Sequence, residues 1–399
     1  MGTFAMPRLV FQRHSEPDED CWHTVFISLL RGLAAVEVAA AHLRAAVYPG
    51  LRALDDPGML FKSFAFATGF AHQAVMLFFI ISGWLVGGSL LNKIGQRGAI
   101  ANYAIDRATR LWTVLVPTFL VTLLLAVATG TVSPRGIDFS AANDYSALAF
   151  AGNLVGLQTV TLPNFGGNFA LWSLANETWY YVLFPLLVLL LTARRVGARL
   201  ACAAAIVILA LLLPQAITVY FSVWLLGAAC SRVTIACDAA TRWGLLVLCA
   251  AVMVYYRLTG NNDVYALETL GQDLVCSVVF LVLLASLRFK AAAGAPLWRP
   301  AARIGKLFAD FSFSLYVLHL PLIDLLQYVT AQRFGLRQLS PKLPLHYALY
   351  AAMLVFLLAA SYLWYRLFEA QTHQVRRTVK QWLMRRSAAR GQAAEALRR

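Results

Sequence analysis

Charged residues are scarce in this chain. Only 13% of its 399 residues are Asp, Glu, Lys or Arg, whereas 60% are hydrophobic and the mean hydropathy is +0.66. A chain of this composition has too little polar surface to cover a soluble globule. The scarcity of charge therefore excludes a soluble domain and predicts an integral membrane protein.

Cysteine pairs, an N-terminal leader and internal repeats are also lacking. The six cysteines show no C-x-x-C spacing, so neither a disulfide framework nor a zinc site is expected. Residues 1–23 contain the acidic stretch SEPDED and no apolar core, which is not the pattern of a cleavable signal peptide. The absence of a visible repeat disfavours a transporter built from inverted repeats.

Long hydrophobic runs, in contrast, are abundant. A membrane-spanning helix needs about 20 mostly apolar residues, and such runs lie near residues 24–47, 73–91, 111–130, 178–193, 199–213, 216–230, 243–258, 272–288, 311–330 and 345–368. The predicted fold is an all-α, polytopic membrane bundle of about ten transmembrane helices. It occupies residues 24–369, between an N-terminal tail of residues 1–23 and a basic tail of residues 370–399.

The distribution of basic residues predicts the orientation of the bundle. Ten spans place both tails on one side, and that side carries 24 of the 34 Lys and Arg residues against 8 on the other. Because cytoplasmic segments are enriched in basic residues, both termini are predicted to be cytoplasmic, in the inner (plasma) membrane. The net charge of +15 then largely reflects basic residues that orient the protein in the membrane. No nucleic-acid partner is therefore expected. Residues 370–399 fit either a basic helix on the anionic leaflet or a solvated tail.

Three ionisable residues interrupt the first span, RGLAAVEVAAAH. Arg31 and His42 differ by about 20° around a helix and lie roughly 16 Å apart along one face. Ionisable residues inside a span are costly and point to function, although Arg31 also fits a side chain that snorkels to the headgroups. His42 alone would fit a packing residue equally well. Glu37 faces elsewhere and needs a partner, for which an Arg or His of a neighbouring span is the candidate.

Five motifs, taken in order along the chain, resemble those of acyltransferase family 3. The first is the Arg and His of the opening span, separated by ten residues. The others are FFIISGWLVGGSL at 78–90, with an aromatic pair before a Ser-Gly turn, NYAIDRATRLW at 102–112, LWSLANETWYYVLFPLL at 171–187 and SFSLYVLHLPL at 312–322. The resemblance covers almost the whole chain and is to the single-domain form of the family.

The resemblance implies an enzyme that transfers an acyl group, usually acetyl from acetyl-CoA, to a sugar hydroxyl of a surface polysaccharide or lipid-linked glycan. The implied partners are acetyl-CoA or another acyl-CoA, a glycan acceptor and the bilayer, and no metal is expected. Because coenzyme A is a cytoplasmic polyanion, its site should be basic. Arg31 and the R-x-x-R pair Arg107 and Arg110 are the candidate cofactor ligands. Ordinary positive-inside residues are the alternative for the pair.

His42 is the candidate catalytic residue. Its neutral imidazole could take the proton of the attacking hydroxyl, or it could accept and relay the acyl group, and the sequence leaves both routes open. Glu177 is expected to orient that imidazole or to hold the acceptor. His319 is either catalytic or a packing histidine bonded to a backbone carbonyl.

Aromatic residues and a long loop are expected to receive the acceptor. Trp172, Trp179 and Tyr180 can stack on sugar rings, although such residues also populate the membrane interface for lipid reasons. The loop of residues 131–175 is predicted to lie outside and to shape the acceptor entrance, with partial disorder as the alternative. A glycolipid flippase or exporter without acyl transfer is the second function class, because it would also use intramembrane charges. A purely structural subunit would not need the Arg31–His42 stripe.

Overall fold

The computed structural model of the protein describes residues 7–15, 21–290 and 298–396, with the side chains of all but residue 136 and residues 387–396. Its helices, in chain order, are α1 (Trp22–Val47), α2 (Gly58–Ala67), α3 (Ala71–Ser82), α4 (Gly88–Lys93), α5 (Ala99–Ala128), α6 (Ala147–Leu154), α7 (Leu171–Thr192), α8 (Val196–Leu212), α9 (Gln215–Cys230), α10 (Ala239–Thr259), α11 (Leu267–Ser286), α12 (Trp298–Phe334), α13 (Pro344–Leu367) and α14 (Thr372–Ala396). The two short strands are β1 (Arg8–Phe11) and β2 (Val233–Ala236).

The helical membrane bundle expected from the sequence is confirmed. Within the described ranges, eight helical segments are long and apolar enough to cross a membrane, and α8 and α9 are shorter apolar helices. Each of the ten predicted spans coincides with one of these helices. The shortness of α8 and α9 follows from Pro214, which begins a new helix and divides the apolar run between them.

Several helices extend beyond the predicted apolar runs. Helix α5 begins at Ala99 and α12 at Trp298, each more than ten residues before the predicted span. The apolar run marks only the part of a helix that lies in hydrocarbon, whereas the backbone stays helical through polar flanking turns. Helix α2 was not predicted. Within the predicted basic tail, α14 is helical over Thr372–Ala396, and contact of the tail with an anionic leaflet stays a prediction.

Helices α1 and α12 pack side by side and run in the same direction. A Cβ on Gly32 of α1 would lie 2.2 Å from Cβ of Phe308, so the missing side chain permits close approach of the two backbones. Arg31 contacts Ser312, and further along His42 contacts His319, so later residues of one helix meet later residues of the other. We call the end of the bundle where α1 and α12 begin the arginine end, and the opposite end the histidine end.

The Ser-Gly pair of the second span does not form a turn. Residues Gly83–Gly87 adopt a π-helical segment that joins α3 to α4 without a break. A Cβ on Gly83 would lie 1.9 Å from the carbonyl oxygen of Trp224 on α9. The glycine therefore serves close helix packing, and the expected turn is corrected to a widened helical turn of the kind often found at functional sites.

A two-stranded ribbon holds the N-terminal segment at the arginine end. Strand β1 pairs antiparallel with β2, with Arg8 opposite Ala236. The Asn92 side chain accepts a hydrogen bond from the backbone N–H of Ser15 and donates one to its carbonyl oxygen. Part of the predicted N-terminal tail is thus docked on the bundle.

Candidate active site

His42 and His319 form a hydrogen-bonded pair between α1 and α12. Nδ1 of His42 lies 2.8 Å from Nε2 of His319, and the two rings are stacked with centroids 5.1 Å apart. His319 is fully buried, whereas His42 is partly exposed. The sequence placed each histidine on a span, and the structure brings the two together.

The backbone around His319 determines how the pair shares hydrogens. Nδ1 of His319 lies 2.7 Å from the carbonyl oxygen of Tyr316, and a carbonyl can only accept. This nitrogen therefore carries the hydrogen of a neutral His319 ring, and its Nε2 is an acceptor. His42 must then donate from Nδ1, so its own Nε2 keeps a lone pair. We assign this tautomer from the hydrogen-bond partners.

The long loop after α5 forms a wall beside the histidine pair. The ring of Phe169 lies 5.0 Å from that of His42. The buried Asn168 side chain donates to the carbonyl oxygen of Val317 on α12, at 2.9 Å. The loop contains the helix α6, and its role at the acceptor entrance stays a prediction.

A cavity of about 630 Å³ at the arginine end brings the three predicted cofactor ligands together. Arg31, Arg107 and Arg110 all line it. Arg31 donates to the hydroxyl of Ser312 at 3.4 Å, and the Arg107 guanidinium lies 5.8 Å from the ring centre of Tyr181. In the part of the chain that the structure describes, no carboxylate oxygen lies within 4.0 Å of a nitrogen of Arg31 or Arg107. Both guanidinium groups therefore face the cavity without a directly paired carboxylate among the described residues, although Glu369 and Glu177 interact electrostatically with Arg31.

Arg110 is paired, unlike the other two arginines. Its Nη2 lies 3.2 Å from the Glu369 carboxylate, which is 5% exposed and also accepts hydrogen bonds from the backbone N–H and the hydroxyl of Ser314. Sequence reasoning missed Glu369. The available signal was an acidic residue directly after the last span, on the side where basic residues predominate.

Glu177 lies in the cavity with the arginines and not beside His42. Its carboxylate accepts hydrogen bonds from the hydroxyls of Ser82, at 2.5 Å, and Tyr181. Helix α7 turns this side chain toward α3, so the carboxylate faces the arginine-end cavity. The sequence led us to expect that Glu177 contacts and orients the His42 imidazole. In this arrangement the Glu177 carboxylate instead contacts Ser82 and Tyr181.

Tyr316 lies between the cavity and the histidine pair. It lines the cavity, while its ring centre is 5.9 Å from that of His319. Its hydroxyl is 2.5 Å from the hydroxyl of Ser173 on α7. The late motif of α12 thus carries four side chains that each contact another part of the site: Ser312 with Arg31, Ser314 with Glu369, Tyr316 with Ser173, and His319 with His42.

The three aromatic residues predicted to bind the acceptor have structural contacts. Tyr180 is fully buried, with its ring 5.5 Å from that of Phe79. Trp179 donates from its indole nitrogen to the carbonyl oxygen of Gly156. Trp172 packs on Tyr265, with ring centres 4.2 Å apart. Contact of these residues with an acceptor stays a prediction.

Glu37 has a backbone partner. Its carboxylate accepts a hydrogen bond from the N–H of Phe70, between α2 and α3, at 2.7 Å. Arg44 and Arg257 are near enough to interact with it electrostatically. The direct hydrogen bond of Glu37 thus comes from the helix junction, and an arginine or histidine partner on a neighbouring span stays a prediction.

A second cavity, of about 550 Å³, adjoins the first at the arginine end. The two share Leu85, Val86 and Arg107 in their walls. The second cavity is also lined by Lys93 and Asn92 of α4. Arg107 therefore faces a space that extends in two directions.

The fold and this geometry define a multi-pass membrane protein with a hydrogen-bonded histidine pair and a cavity lined by arginines. A family model described as an acyltransferase domain, that of acyltransferase family 3, matches residues 24–365. The chain therefore belongs to acyltransferase family 3 and is a membrane acyltransferase. No curated protein and no solved structure matches the chain.

Proposed function

We propose that the protein is an O-acyltransferase of the inner membrane. It moves an acyl group, usually acetyl, from cytoplasmic acyl-CoA to a sugar hydroxyl of a surface polysaccharide, lipid-linked glycan or similar acceptor. The observation that carries this proposal is the hydrogen bond between His42 and His319, which leaves one imidazole nitrogen of His42 with a lone pair. Such a nitrogen can accept the proton of a hydroxyl group.

The donor enters from the arginine end, which the basic residues of the sequence assign to the cytoplasm. Arg31 and Arg107 face the cavity there without a paired carboxylate among residues 7–15, 21–290 and 298–386, and guanidinium groups bind phosphate through two parallel hydrogen bonds. The thioester arm then extends past Tyr316 toward His42. Arg31 and His42 lie roughly 16 Å apart along α1, so the donor molecule as a whole does not need to cross the membrane.

Transfer then follows from the lone pair on His42. The sugar hydroxyl attacks the thioester carbonyl carbon, and its proton passes to Nε2 of His42 as the new C–O bond forms. The C–S bond breaks, and the thiolate of coenzyme A takes the proton from His42, which returns to its neutral form. His319 accepts a hydrogen bond from Nδ1 of His42 throughout, so it holds the ring in the tautomer that the reaction needs.

The same nitrogen of His42 would carry the acyl group in a relay. A single turnover with labelled acetyl-CoA and no acceptor separates the two routes, because only the relay leaves the label on the protein at His42. General-base catalysis predicts free acetate or unreacted donor and no labelled peptide.

Radiolabelled acetyl-CoA supplied to inverted membrane vesicles tests the proposed function. We expect the label to appear in glycan, or slowly in free acetate when no acceptor is present. Vesicles that carry His42→Ala should produce neither labelled product. A flippase or exporter would move no label from coenzyme A. Analysis of acetyl groups on the surface glycans of a deletion strain identifies the acceptor, and glycans with unchanged acetylation would contradict the proposal.

A further inference from the structure

A helix outside the family domain forms one wall of the arginine-end cavity. The family match ends at residue 365, and the chain continues with the short helical turn Glu369–Gln371 and then α14. The residues of this extension that line the cavity are Glu369, Ala370, Thr372, His373 and Arg376. The cavity is therefore completed by residues that lie beyond the end of the family match.

Two ion pairs hold this wall against α5, the helix that carries the R-x-x-R pair. The first is Arg110 with Glu369, at 3.2 Å. The second is Lys380 of α14, whose Nζ lies 2.7 Å from Oδ1 of Asp106. The first turns of α14 are thereby fixed beside the cavity, at the end through which the donor is proposed to enter.

Arg376 is held more loosely than Lys380. Its Nε lies 3.9 Å from the same oxygen of Asp106, beyond hydrogen-bond distance, and its side chain is 34% exposed. Because Lys380 already pairs with this oxygen, the Arg376 guanidinium can bind another anion without leaving Asp106 unpaired. The nearest carboxylate oxygen to this cavity-lining guanidinium, 3.9 Å away, is thus already paired more closely with Lys380.

We propose that Arg376 binds a phosphate group of coenzyme A, which makes α14 part of the donor site. This inference rests on the proposed use of an acyl-CoA donor. Arg107 directly follows Asp106 in the chain and lines the same cavity, so two guanidinium groups from different helices face the entering phosphates. Guanidinium groups bind phosphate through charge-assisted, often bidentate hydrogen bonds.

Binding of coenzyme A and of pantetheine to the purified full chain provides the test. Pantetheine has the thiol arm but no phosphate. In nanodiscs of zwitterionic lipid, Arg376→Ala should weaken coenzyme A binding about tenfold, the effect of losing one charge-assisted hydrogen bond. Pantetheine binding should change by less than about twofold. Arg376→Lys should lie between, because it keeps the charge and loses the bidentate geometry.

The neighbouring Arg377 supplies a matched control. It lies on the same helix, is exposed and lines neither cavity, so Arg377→Ala changes net charge equally and should bind coenzyme A as the wild type does. Equal affinities for the two alanine variants would overturn the inference. Equal losses for coenzyme A and pantetheine in Arg376→Ala would do the same, since they indicate a distorted cavity.

Lipid headgroups also carry phosphate, and the lipid composition separates the two sources. An effect of Arg376→Ala on coenzyme A binding that appears only in nanodiscs with anionic lipid would assign Arg376 to a headgroup and overturn the inference. The binding data also distinguish a failure of the proposed function from a failure of this inference. A wild-type protein that does not bind coenzyme A contradicts the donor itself, whereas wild-type binding with no effect of Arg376→Ala contradicts only the role of Arg376.

Discussion

Nδ1 of His42 and Nε2 of His319 lie 2.8 Å apart although the two residues are 277 positions apart in the chain. Each ring therefore depends on the other helix for its orientation. Because the second nitrogen of His319 faces a backbone carbonyl, the pair has a direction, from His42 as donor to His319 as acceptor.

This direction predicts unequal effects of substitutions at the two histidines. His42→Ala removes the proposed base, and turnover should fall by about 10² to 10⁴. His319→Ala should also lower turnover, and His319→Gln should restore part of it, because the amide oxygen of glutamine can accept from Nδ1 of His42. Turnover is measured with labelled acetyl-CoA, and coenzyme A binding serves as the control for folding.

Two results would contradict this assignment. If His42→Ala keeps more than about a tenth of wild-type turnover, well short of the loss expected for a general base, His42 is a packing residue and His319 becomes the leading candidate. If His319→Gln is no better than His319→Ala, the acceptor role of His319 is wrong.

The three arginines of the cavity are expected to differ in their effects on stability. Alanine at Arg31, Arg107 or Arg110 should raise the KM for acetyl-CoA. Only Arg110→Ala should also lower the Tm of the purified protein, because it removes the ion-pair partner of the buried Glu369. The free energy of unfolding should fall by about 1 kcal/mol, since Arg110 is 36% exposed and its charge is partly screened by solvent.

The double variant Arg110→Ala, Glu369→Gln is the control for this prediction. A neutral glutamine at 369 can still accept the Ser314 hydrogen bonds and leaves no unpaired charge, so part of the lost Tm should return. A Tm of Arg110→Ala equal to that of Arg31→Ala would count against the ion pair. An unchanged KM in all three single variants would return the arginines to ordinary positive-inside residues.

Close packing at Gly83 should make this position intolerant of any side chain. The Cβ of Gly83→Ala would lie 1.9 Å from the carbonyl oxygen of Trp224, so helices α3 and α9 must separate. Overpacking of this kind costs about 1 to 3 kcal/mol or more. We expect a lower Tm and a lower yield of folded protein. Gly244→Ala on α10 is the control, because nothing lies within 4 Å of its Cβ, and equal yields for both variants would refute the packing argument.

Reporter fusions test the orientation of the bundle. A reporter after Arg399 should be cytoplasmic and one inserted near Asn143 external, since basic residues concentrate on the side of the two tails. The reverse pattern would invert the bundle and place the arginine-end cavity on the side that coenzyme A does not reach.

The sequence by itself determined the class of fold and the placement of the main residues along each span. Hydrophobic length located the eight helices that are long and apolar enough to span and the two shorter apolar helices α8 and α9, because hydrocarbon thickness sets a minimum run of apolar residues. Helical periodicity placed Arg31 and His42 on one face, and the spacing of five motifs indicated the family that the domain match shows. Helix ends were less well located, since the polar turns of α5 and α12 beyond the hydrocarbon leave no apolar signal.

The tertiary structure decided which helices meet and which way their polar side chains face. Periodicity gives the relative angles within one helix but not its rotation against its neighbours, so it could not pair His42 with His319 or assign Glu177 to the arginine-end cavity. The ion pair of Arg110 with Glu369 joins residues 259 positions apart, and local sequence carries no signal for such a contact. The sequence also could not show that Gly32 permits close approach of α1 to α12 and Gly83 close approach to α9, because a missing side chain has a consequence only where another helix lies against it.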